Sequence, residues 1–232
     1  MEFKEFFFEK LDSTQEFVKR NINILPPYSL VEALKQTQGK TRKKDKIWYS
    51  KEGEGLYITF VLPKPKVYPL SLFSLIFSLN LVDYINNYFY IPLKIKWPND
   101  IYLNQKKLAG ILLEYYKGKI LLGMGINLYQ KNFPPEIKDK ATSFLKEGYK
   151  LDKEEIKEIL KFLVLRSLKE ENFDKEIYEK YLLLKGKFVK VKTLDKTFSG
   201  IVLGVSNQGE LILKTDQELI KILEGEVIFW EK

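Results

Sequence analysis

Residues 96–128 read KWPNDIYLNQKKLAGILLEYYKGKILLGMGINL, and this stretch decides the fold prediction. Apolar runs alternate here with short turns at Asn104-Gln105 and at Lys117-Gly118. Two apolar runs joined by such a short turn are typical of an antiparallel hairpin. The pattern therefore predicts a mixed or antiparallel central sheet with strands over Leu93–Trp97, Ile101–Leu103, Lys107–Tyr116 and Ile120–Leu128.

Helix signals lie on both sides of these strands. Ser13 with Glu16 three residues later forms a capping pattern, which predicts a helix toward Asn21. The apolar segment from Pro69 to Tyr90 contains polar residues before about 20 clean apolar residues accumulate, so it predicts a buried helix and no membrane span. Further patterns predict helices from Asp152 to about Lys169 and from Phe173 to Leu184, strands over Phe6–Phe8 and Leu56–Leu62, and either a strand or a helix edge over Tyr28–Thr37.

The pattern changes after Lys185-Gly186. Short strands follow, with turns at Asn207-Gln208-Gly209 and Glu224-Gly225-Glu226, which predicts a small separate β-barrel. The chain is therefore expected to divide into domains at 1–185 and 186–232. Its fold class is expected to be α+β, with helices flanking a mixed or antiparallel sheet.

Composition narrows the chemistry. The 232 residues contain 39 Lys and Arg against 31 Asp and Glu, and the net charge of +8 suits nucleotides, acidic proteins or nucleic acid without choosing among them. There is no cysteine and no histidine, so thiolate zinc sites and Ser-His-Asp or Cys-His catalysis are excluded. The N-terminal sequence carries no secretory signal pattern, so we expect a cytoplasmic protein.

Two strings could carry chemistry. In Lys96-Trp97-Pro98-Asn99-Asp100, Trp97 could wall an apolar slot, and Asn99 and Asp100 could orient a nucleotide or hold magnesium. Lys107, across the hairpin, could neutralise a phosphate. The alternative is that Trp97 belongs to the core, Pro98-Asn99 is a turn and Lys107 is a solvated lysine.

The second string is Gly123-Met124-Gly125-Ile126-Asn127 on the last predicted strand. Glycines inside a strand mark either a bulge or the close approach of a ligand or a neighbouring backbone. Asn127 could bond a base or a phosphate, or could belong to a turn. A dinucleotide fingerprint is disfavoured because a strand, and not a helix, is expected to follow the glycines.

Together these strings resemble the biotin protein ligases, which carry Lys-Trp-Pro-Asn-Asp, Lys-Leu-Ala-Gly and Gly-x-Gly-x-Asn in this order. The resemblance covers most of residues 8–145, and residues 186–232 are similar to the family's small SH3-like C-terminal domain. Its further matches are Asp12-Ser13-Thr14, Gln36-x-x-Gly39, Trp48 and Ala141-Thr142-Ser143. It implies the class II synthetase-like biotin/lipoate ligase fold, with biotin and ATP as substrates and Mg²⁺ as activating ion.

The resemblance also implies roles for single residues. Ser13, Thr14, Gln36, Gly39, Lys40, Arg42, Lys107 and Gly110 match biotin-binding positions. Arg42, Trp48, Asn99, Asp100, Lys107 and Asn127 match ATP-binding positions. Lys107, Arg42 and Asp100 are the candidate catalytic residues, and Asp100 is also the candidate magnesium contact. Ser13 and Thr14 can equally serve as helix caps.

The segment Gln38–Lys46 is polar and basic, and we expect a mobile loop. It departs from the family's Gly-Arg-Gly-Arg-Arg-Gly loop, because Lys40 and Thr41 replace Arg and Gly and Lys43-Lys44-Asp45 replaces its end. Lysine is a point charge whereas arginine presents a planar fork to phosphate, so Arg42 is the expected phosphate clamp. A solvated charge run is the alternative for Lys43-Lys44.

The implied reaction needs no enzyme nucleophile. The biotin carboxylate attacks the α-phosphate of ATP, and an acceptor lysine then attacks the resulting anhydride. The expected partner is a biotin carboxyl carrier protein or domain of acetyl-CoA carboxylase or a related carboxylase, with a homodimer left open and neither DNA nor membrane as partner. No winged-helix segment precedes Phe6, which disfavours a repressor role. The rivals are a lipoate or octanoate ligase and a basic nucleic-acid-binding module, although the lysines form no stripe interleaved with aromatics.

Overall fold

The computed structural model describes residues 2–43, 46–64 and 70–231. Contacts divide the chain into two compact units, which we call the first unit (1–65 with 102–166) and the second unit (66–101 with 167–232). Each unit combines two separate stretches of chain. The predicted division at 1–185 and 186–232 follows the chain in sequence, and it stays a prediction.

The described residues form four α-helices and fourteen strands, and the helices lie between groups of strands along the chain. The helices are α1 (Thr14–Arg20), α2 (Leu70–Tyr88), α3 (Lys153–Lys169) and α4 (Lys175–Tyr181). The strands are β1 (Lys4–Leu11), β2 (Ser29–Gln36), β3 (Gly39–Lys40), β4 (Ile47–Trp48), β5 (Gly55–Leu62), β6 (Lys94–Lys96), β7 (Asp100–Leu103), β8 (Lys106–Tyr116), β9 (Lys119–Asn127), β10 (Phe188–Lys192), β11 (Thr197–Val205), β12 (Leu211–Lys214), β13 (Leu219–Ile222) and β14 (Glu226–Trp230).

The first unit contains a mixed sheet in which β1, β2, β5, β9 and β8 are neighbours in that order. β1 runs parallel to β2, and the other pairs are antiparallel. The predicted antiparallel hairpin is confirmed for β8 and β9, because Tyr116 pairs with Lys119 and the turn residues Lys117 and Gly118 both have positive φ. The segment that fitted either a strand or a helix edge is β2, a strand inside the sheet.

Helix α1 covers one face of this sheet. The Ser13 hydroxyl accepts the backbone N–H of Glu16, so the predicted cap forms. Val18, Ile22 and Leu25 pack on Val31, Val61 and Leu121 of the strands. Each such buried side chain contributes about 1.5–3 kcal/mol, which fixes α1 against β5 and β9.

Helix α3 is joined to β1 and β2 by ion pairs. Its predicted cap also forms, since Asp152 accepts the N–H of Glu155 at 2.9 Å. Lys157 contacts the buried carboxylate of Glu32 at 3.2 Å, and Lys161 contacts Glu5 at 2.6 Å. The hydrogen bonds and charges of Glu154 and Glu32 raise the pKa of Lys157 despite the burial that opposes them, so this lysine stays charged.

The second unit contains α2, α4 and an antiparallel sheet in the order β13, β12, β11, β10, β14, which fits the expected SH3-like domain. The predicted apolar helix is α2, whose residues Phe73, Phe77 and Val82 are fully buried. Among the described helices none has the length and apolar character needed to cross a membrane. The predicted end of α4 at Leu184 is wrong, because Leu182 already has an extended backbone.

Candidate active site

A pair of glycines forms the floor of the candidate site on the face of the sheet that α1 covers. Gly110 of β8 and Gly125 of β9 lie opposite each other, and the indole of Trp48 lies on both. A Cβ atom built on Gly125 would lie 2.5 Å from Trp48 Cε2, and one on Gly110 would lie 2.9 Å from Trp48 Cζ3. The register of β9 against β5 and β8 is unbroken, so the bulge considered for these glycines is wrong.

Lys107 reaches the same floor from the start of β8. A Cβ on Gly110 would lie 3.2 Å from Lys107 Nζ, and that ammonium is 5.5 Å from the centre of the Trp48 ring. The backbone of Lys107 is held by the segment after β9, because its N–H donates to Lys140 and its carbonyl accepts from Thr142. The structure therefore brings together three residues that the sequence singled out, Trp48, Lys107 and Gly110.

The polar pocket, which we define as Thr14, Gln36 and Thr59, lies further along the same face. Gln36 Oε1 accepts the Thr14 N–H at 2.8 Å and the Thr14 hydroxyl at 3.2 Å. Thr59 Oγ1 lies 2.9 Å from Thr14 Oγ1. All three side chains are buried, and Thr59 is fully so. Their oxygens and nitrogens form a preorganised polar cluster in an otherwise apolar layer.

Ser13 stands beside the polar pocket and is 1% exposed. Its N–H donates to Asp12 Oδ1 at 2.8 Å, and Asp12 pairs with Arg20. The hydrogen bonds from Arg20 lower the pKa of Asp12 to about 2, so the carboxylate stays charged and keeps its hold on the start of α1. Ser13 is therefore a helix cap, as the sequence allowed, and its contact with biotin stays a prediction.

The basic hairpin, which we define as β3, β4 and the described residues 41–43 and 46, carries the predicted cationic segment. Gly39 pairs with Trp48 and Lys40 with Ile47, so both ends of the expected loop belong to strands. Lys40 and Arg42 are exposed. The Thr41 hydroxyl bonds the carbonyl of Lys43 at 2.9 Å and holds the turn. Lys44 and Asp45 lie outside the described residues, and the mobility of the segment stays a prediction.

Asn127 fastens the segment after β9. Its Nδ2 donates to the carbonyl of Thr142 at 2.9 Å, and its Oδ1 accepts from Gln130 at 3.2 Å. The matched string Ala141-Thr142-Ser143 is thereby tied to β9 on one side and, through Lys107, to β8 on the other. Asn127 positions this segment, and its predicted contact with ATP is untested.

The whole first string, residues 96–100, belongs to the second unit. Trp97 is 2% exposed and donates its indole N–H to the carbonyl of Gly209 at 3.0 Å, so it is a core residue, which is the alternative that the sequence left open. Asn99 is buried and Asp100 opens β7. Because these two lie in the other unit, their predicted roles toward ATP and magnesium stay predictions.

Sequence reasoning missed Gln15 and Thr59. Gln15 is 2% exposed, and its Oε1 would lie 2.4 Å from a Cβ on Gly123, which explains the first glycine of the Gly-x-Gly string. Thr59 had a visible signal, since it is the one serine or threonine in the apolar strand GLYITFVL. Gln15 directly follows the matched string Asp12-Ser13-Thr14, but nothing in the sequence pairs it with β9.

No group of three or more His, Cys, Asp or Glu side chains that could hold a metal occurs among the described residues. Mg²⁺ commonly binds through substrate phosphates with only one or two carboxylates. Such binding is compatible with a single carboxylate such as Asp100.

Comparison with known proteins places this geometry in a family. Residues 7–130 match the model of the biotin/lipoate A/B protein ligase family, and residues 186–230 match the biotin protein ligase C terminal domain. The chain is 32% identical over 239 residues to the bifunctional ligase/repressor BirA of Bacillus subtilis, covering 95% of this chain and 72% of that protein. The chain belongs to the biotin/lipoate A/B protein ligase family.

The chain is also similar to one solved structure and to one further sequence relative. A biotin protein ligase from Aquifex aeolicus, solved in complex with biotin and ATP, is 29% identical and superposes with a TM-score of 0.87, covering 98% of this chain and 97% of that one. The biotin--[acetyl-CoA-carboxylase] ligase of Mycobacterium tuberculosis is 31% identical over 140 residues, or 58% of this chain and 52% of that protein. The expected α+β ligase fold is thus confirmed.

Proposed function

We propose that this chain is a biotin protein ligase, which joins biotin to ATP as biotinyl-5'-AMP and then transfers biotin to a lysine of a carrier protein. One observation carries the proposal. The polar pocket and the Lys107 ammonium lie on the same face of the sheet. Thr59 of the pocket pairs with Gly123 of β9, and the Lys107 ammonium lies near Gly110, which pairs with Gly125 of β9. The step from Gly123 to Gly125 spans about 7 Å, which suits a small acid with a polar head and a carboxylate tail.

The first step needs charge neutralisation. A carboxylate oxygen of biotin attacks the α-phosphorus of ATP, and pyrophosphate leaves. In this proposal Lys107 bridges the carboxylate and the α-phosphate, since a fixed ammonium lowers the repulsion between the two anions as they meet. Trp48 offers an aromatic face for the nucleotide. Its indole Nε1 is buried and has no hydrogen-bond partner within the described part of the chain, which supports a ligand acceptor at this point.

In the second step the amine of an acceptor lysine attacks the acyl carbon of the anhydride, and AMP leaves as the amine loses a proton. Arg42 and Lys40 on the basic hairpin are proposed to hold the phosphate of the intermediate. Positioning and charge supply the catalysis, which fits a chain without cysteine or histidine.

The proposed partner is a biotin carboxyl carrier protein or domain of a carboxylase, which the names of the relatives support. We also propose that Mg²⁺ enters with ATP, with Asn99, Asp100 and Asn127 as nucleotide-side contacts and Asp100 beside the ion. The domains proposed for these tasks are 1–185 for biotin and ATP and 186–232 as the SH3-like domain. The expected setting is the cytoplasm, and a homodimer stays open.

Lipoate, which the family name also covers, fits the site less well. The polar pocket buries an amide and two hydroxyls, and a ligand head without hydrogen-bonding groups would leave them without a ligand partner. A site built to bond a polar ligand group rejects an analogue that lacks the group, because its own buried polar atoms are then unpaired.

The test is a transfer assay. The full chain is incubated with ATP, Mg²⁺, a biotin carboxyl carrier domain and either biotin, lipoate or octanoate, and the carrier is weighed by mass spectrometry. We expect the mass gain of biotin on one lysine, and no gain when that lysine is replaced by arginine. Gain with lipoate or octanoate alone, or no gain with any acid, would overturn the proposal.

A further inference from the structure

The side chain of Gln15 extends the polar pocket toward the surface of the first unit. Its Nε2 donates to Glu114 Oε2 at 2.8 Å and faces the carbonyl of Leu121 at 3.5 Å. Its Oε1 therefore points the other way, where Thr59 Oγ1 lies at 3.1 Å. The missing side chain of Gly123 makes the space for this amide.

The orientation of this amide decides where hydroxyl hydrogens go. An amide oxygen can only accept, so the single hydrogen of the Thr59 hydroxyl is directed to Gln15 Oε1. The lone pairs of Thr59 Oγ1 then face the Thr14 hydroxyl, whose oxygen lies 2.9 Å away. The Thr14 hydroxyl has acceptors on both sides, at Thr59 and at Gln36 Oε1, so its hydrogen stays within the protein. A lone pair of Thr14 is left for a ligand donor.

The same chain of contacts orients Gln36. Its Oε1 is held by the N–H of Thr14, so its two Nε2 hydrogens are left for other acceptors, and Nε2 lies beside Gly39, 3.0 Å from a Cβ built there. The polar pocket therefore presents one acceptor, on Thr14, and one amide donor, on Gln36. A cyclic urea presents the complementary pair, an N–H and a carbonyl oxygen.

We infer that Gln15, Thr59 and Glu114 are positioning residues that fix the donor and acceptor pattern of the polar pocket and thereby its preference for a ureido head. The inference rests on the proposed function. None of the three needs to touch the ligand, because they act through Thr14 and Gln36. Lys19 completes the arrangement by holding Glu114 Oε1 at 2.9 Å, which leaves the other oxygen for Gln15.

The decisive variant is Gln15→Glu, which keeps the size of the side chain but replaces the N–H donor by a second carboxylate. The introduced carboxyl and Glu114 would lie at hydrogen-bond distance, so they share a proton at low pH and repel each other at high pH. When protonated, the introduced group donates to Glu114 and still accepts from Thr59. The other charges facing this pair are Lys19, which opposes proton uptake, and Glu16, which favours it.

We expect Gln15→Glu to weaken the equilibrium binding of biotin about tenfold near pH 8.5, with recovery as the pH falls toward about 6. The double variant Gln15→Glu with Glu114→Gln reverses donor and acceptor, and we expect it to bind biotin near wild-type strength at the higher pH. Gln217→Glu, an exposed site in the second unit, is the control for the added charge, and its biotin affinity is expected to be unchanged. Isothermal titration calorimetry measures each affinity, and the KM for ATP is expected to stay constant.

Thr59→Val and Thr59→Ser provide a second test, which remains decisive even if the charged variants at Gln15 fail to fold. Valine removes the hydroxyl at nearly constant volume and is expected to weaken biotin binding about tenfold, whereas serine keeps the hydroxyl and is expected to bind as wild type. Wild-type protein that fails to bind biotin would overturn the proposed function. Suppose instead that the wild-type protein binds biotin. Equal biotin affinities of the valine and serine variants, or a double variant that binds biotin no better than Gln15→Glu, would then overturn the positioning role alone.

Discussion

The polar pocket and the basic hairpin differ in how they are held, although a single stretch of chain, residues 36–48, contributes to both. In the polar pocket Thr14, Gln36 and Thr59 are buried and bonded to one another before any ligand arrives. In the basic hairpin Lys40 and Arg42 project into solvent from a two-residue strand and the turn after it. Preorganised groups select a ligand by shape and polarity, whereas exposed cations attract phosphate with little selectivity.

This difference is the basis for proposing different tasks for the two regions. We propose that the polar pocket selects the acid and that the basic hairpin retains the charged intermediate. Lys107 lies on the glycine floor that Trp48, at the end of the basic hairpin, covers. Substitutions should therefore separate into effects on biotin affinity, on chemistry and on release of the adenylate.

Removal of Lys107 is expected to have the largest effect. Lys107→Ala takes away the ammonium that we propose lies where carboxylate and phosphate meet, so adenylate formation should fall by about a factor of 10³. Pyrophosphate release at saturating biotin and ATP measures the step. Lys106→Ala, the neighbouring lysine on β8, serves as control and should retain wild-type rates. A rate for Lys107→Ala within the range of that control would remove Lys107 from the mechanism.

Next in size is a change in the polar pocket. Gln36→Leu keeps the volume but removes the amide donor that we propose faces the ligand, a loss of about 1.5–3 kcal/mol that corresponds to a rise in the dissociation constant of biotin of about 10- to 100-fold. Calorimetric titration checks the affinity, and the KM for ATP should be unaffected. Gln38→Leu, at an exposed position two residues on, is the matched control. Equal weakening for biotin and ATP would contradict the separation of tasks.

A smaller effect is expected in the basic hairpin. Arg42→Ala should let biotinyl-5'-AMP escape about fivefold faster while pyrophosphate release stays near the wild-type rate, since an exposed cation contributes only up to about 1 kcal/mol. Rapid filtration separates free from bound adenylate. Lys46→Ala removes an exposed charge at the other end of the hairpin and should release little more than wild type. Unchanged retention in Arg42→Ala would assign the clamp elsewhere.

The smallest effect is expected from Lys40→Arg. A guanidinium offers a planar fork to phosphate where lysine offers a point charge, so the variant should retain the adenylate about twofold longer. The same filtration assay measures it, best at low ionic strength, where the screening of exposed charges is weakest. Faster escape than wild type would show that Lys40 has a role other than phosphate contact.

Much of the fold could be predicted from the sequence because its signals are local. The capping pattern at Ser13, the turn at Lys117-Gly118 and the apolar run of β5 each depend on adjacent residues, and all three are confirmed. The end of α4 was placed too late because Leu182 to Leu184 continue the apolar spacing, although the backbone turns extended there. Periodicity alone does not record where a helix must stop to meet its neighbours.

Non-local contacts account for what the sequence could not show. Gly123 and Gly125 were visible as unusual residues in a strand, but the side chains that occupy their space, Gln15 and Trp48, lie more than seventy residues away in the chain. Trp97 illustrates the reverse case. It belongs to the most diagnostic string of the sequence, yet its indole bonds Gly209 in the core of the second unit.

The glycine floor has a genetic consequence. Strand positions usually gain stability from larger side chains, so random mutagenesis of β8 and β9 should accept many replacements but reject even alanine at Gly123 and Gly125. In a selection for folded protein, suppressors of such alleles should not arise in the neighbouring strand residues. They should instead arise at Gln15 for the first glycine and at Trp48 for the second, where a shorter side chain gives back the space that the new methyl group takes, while biotin ligation stays weakened.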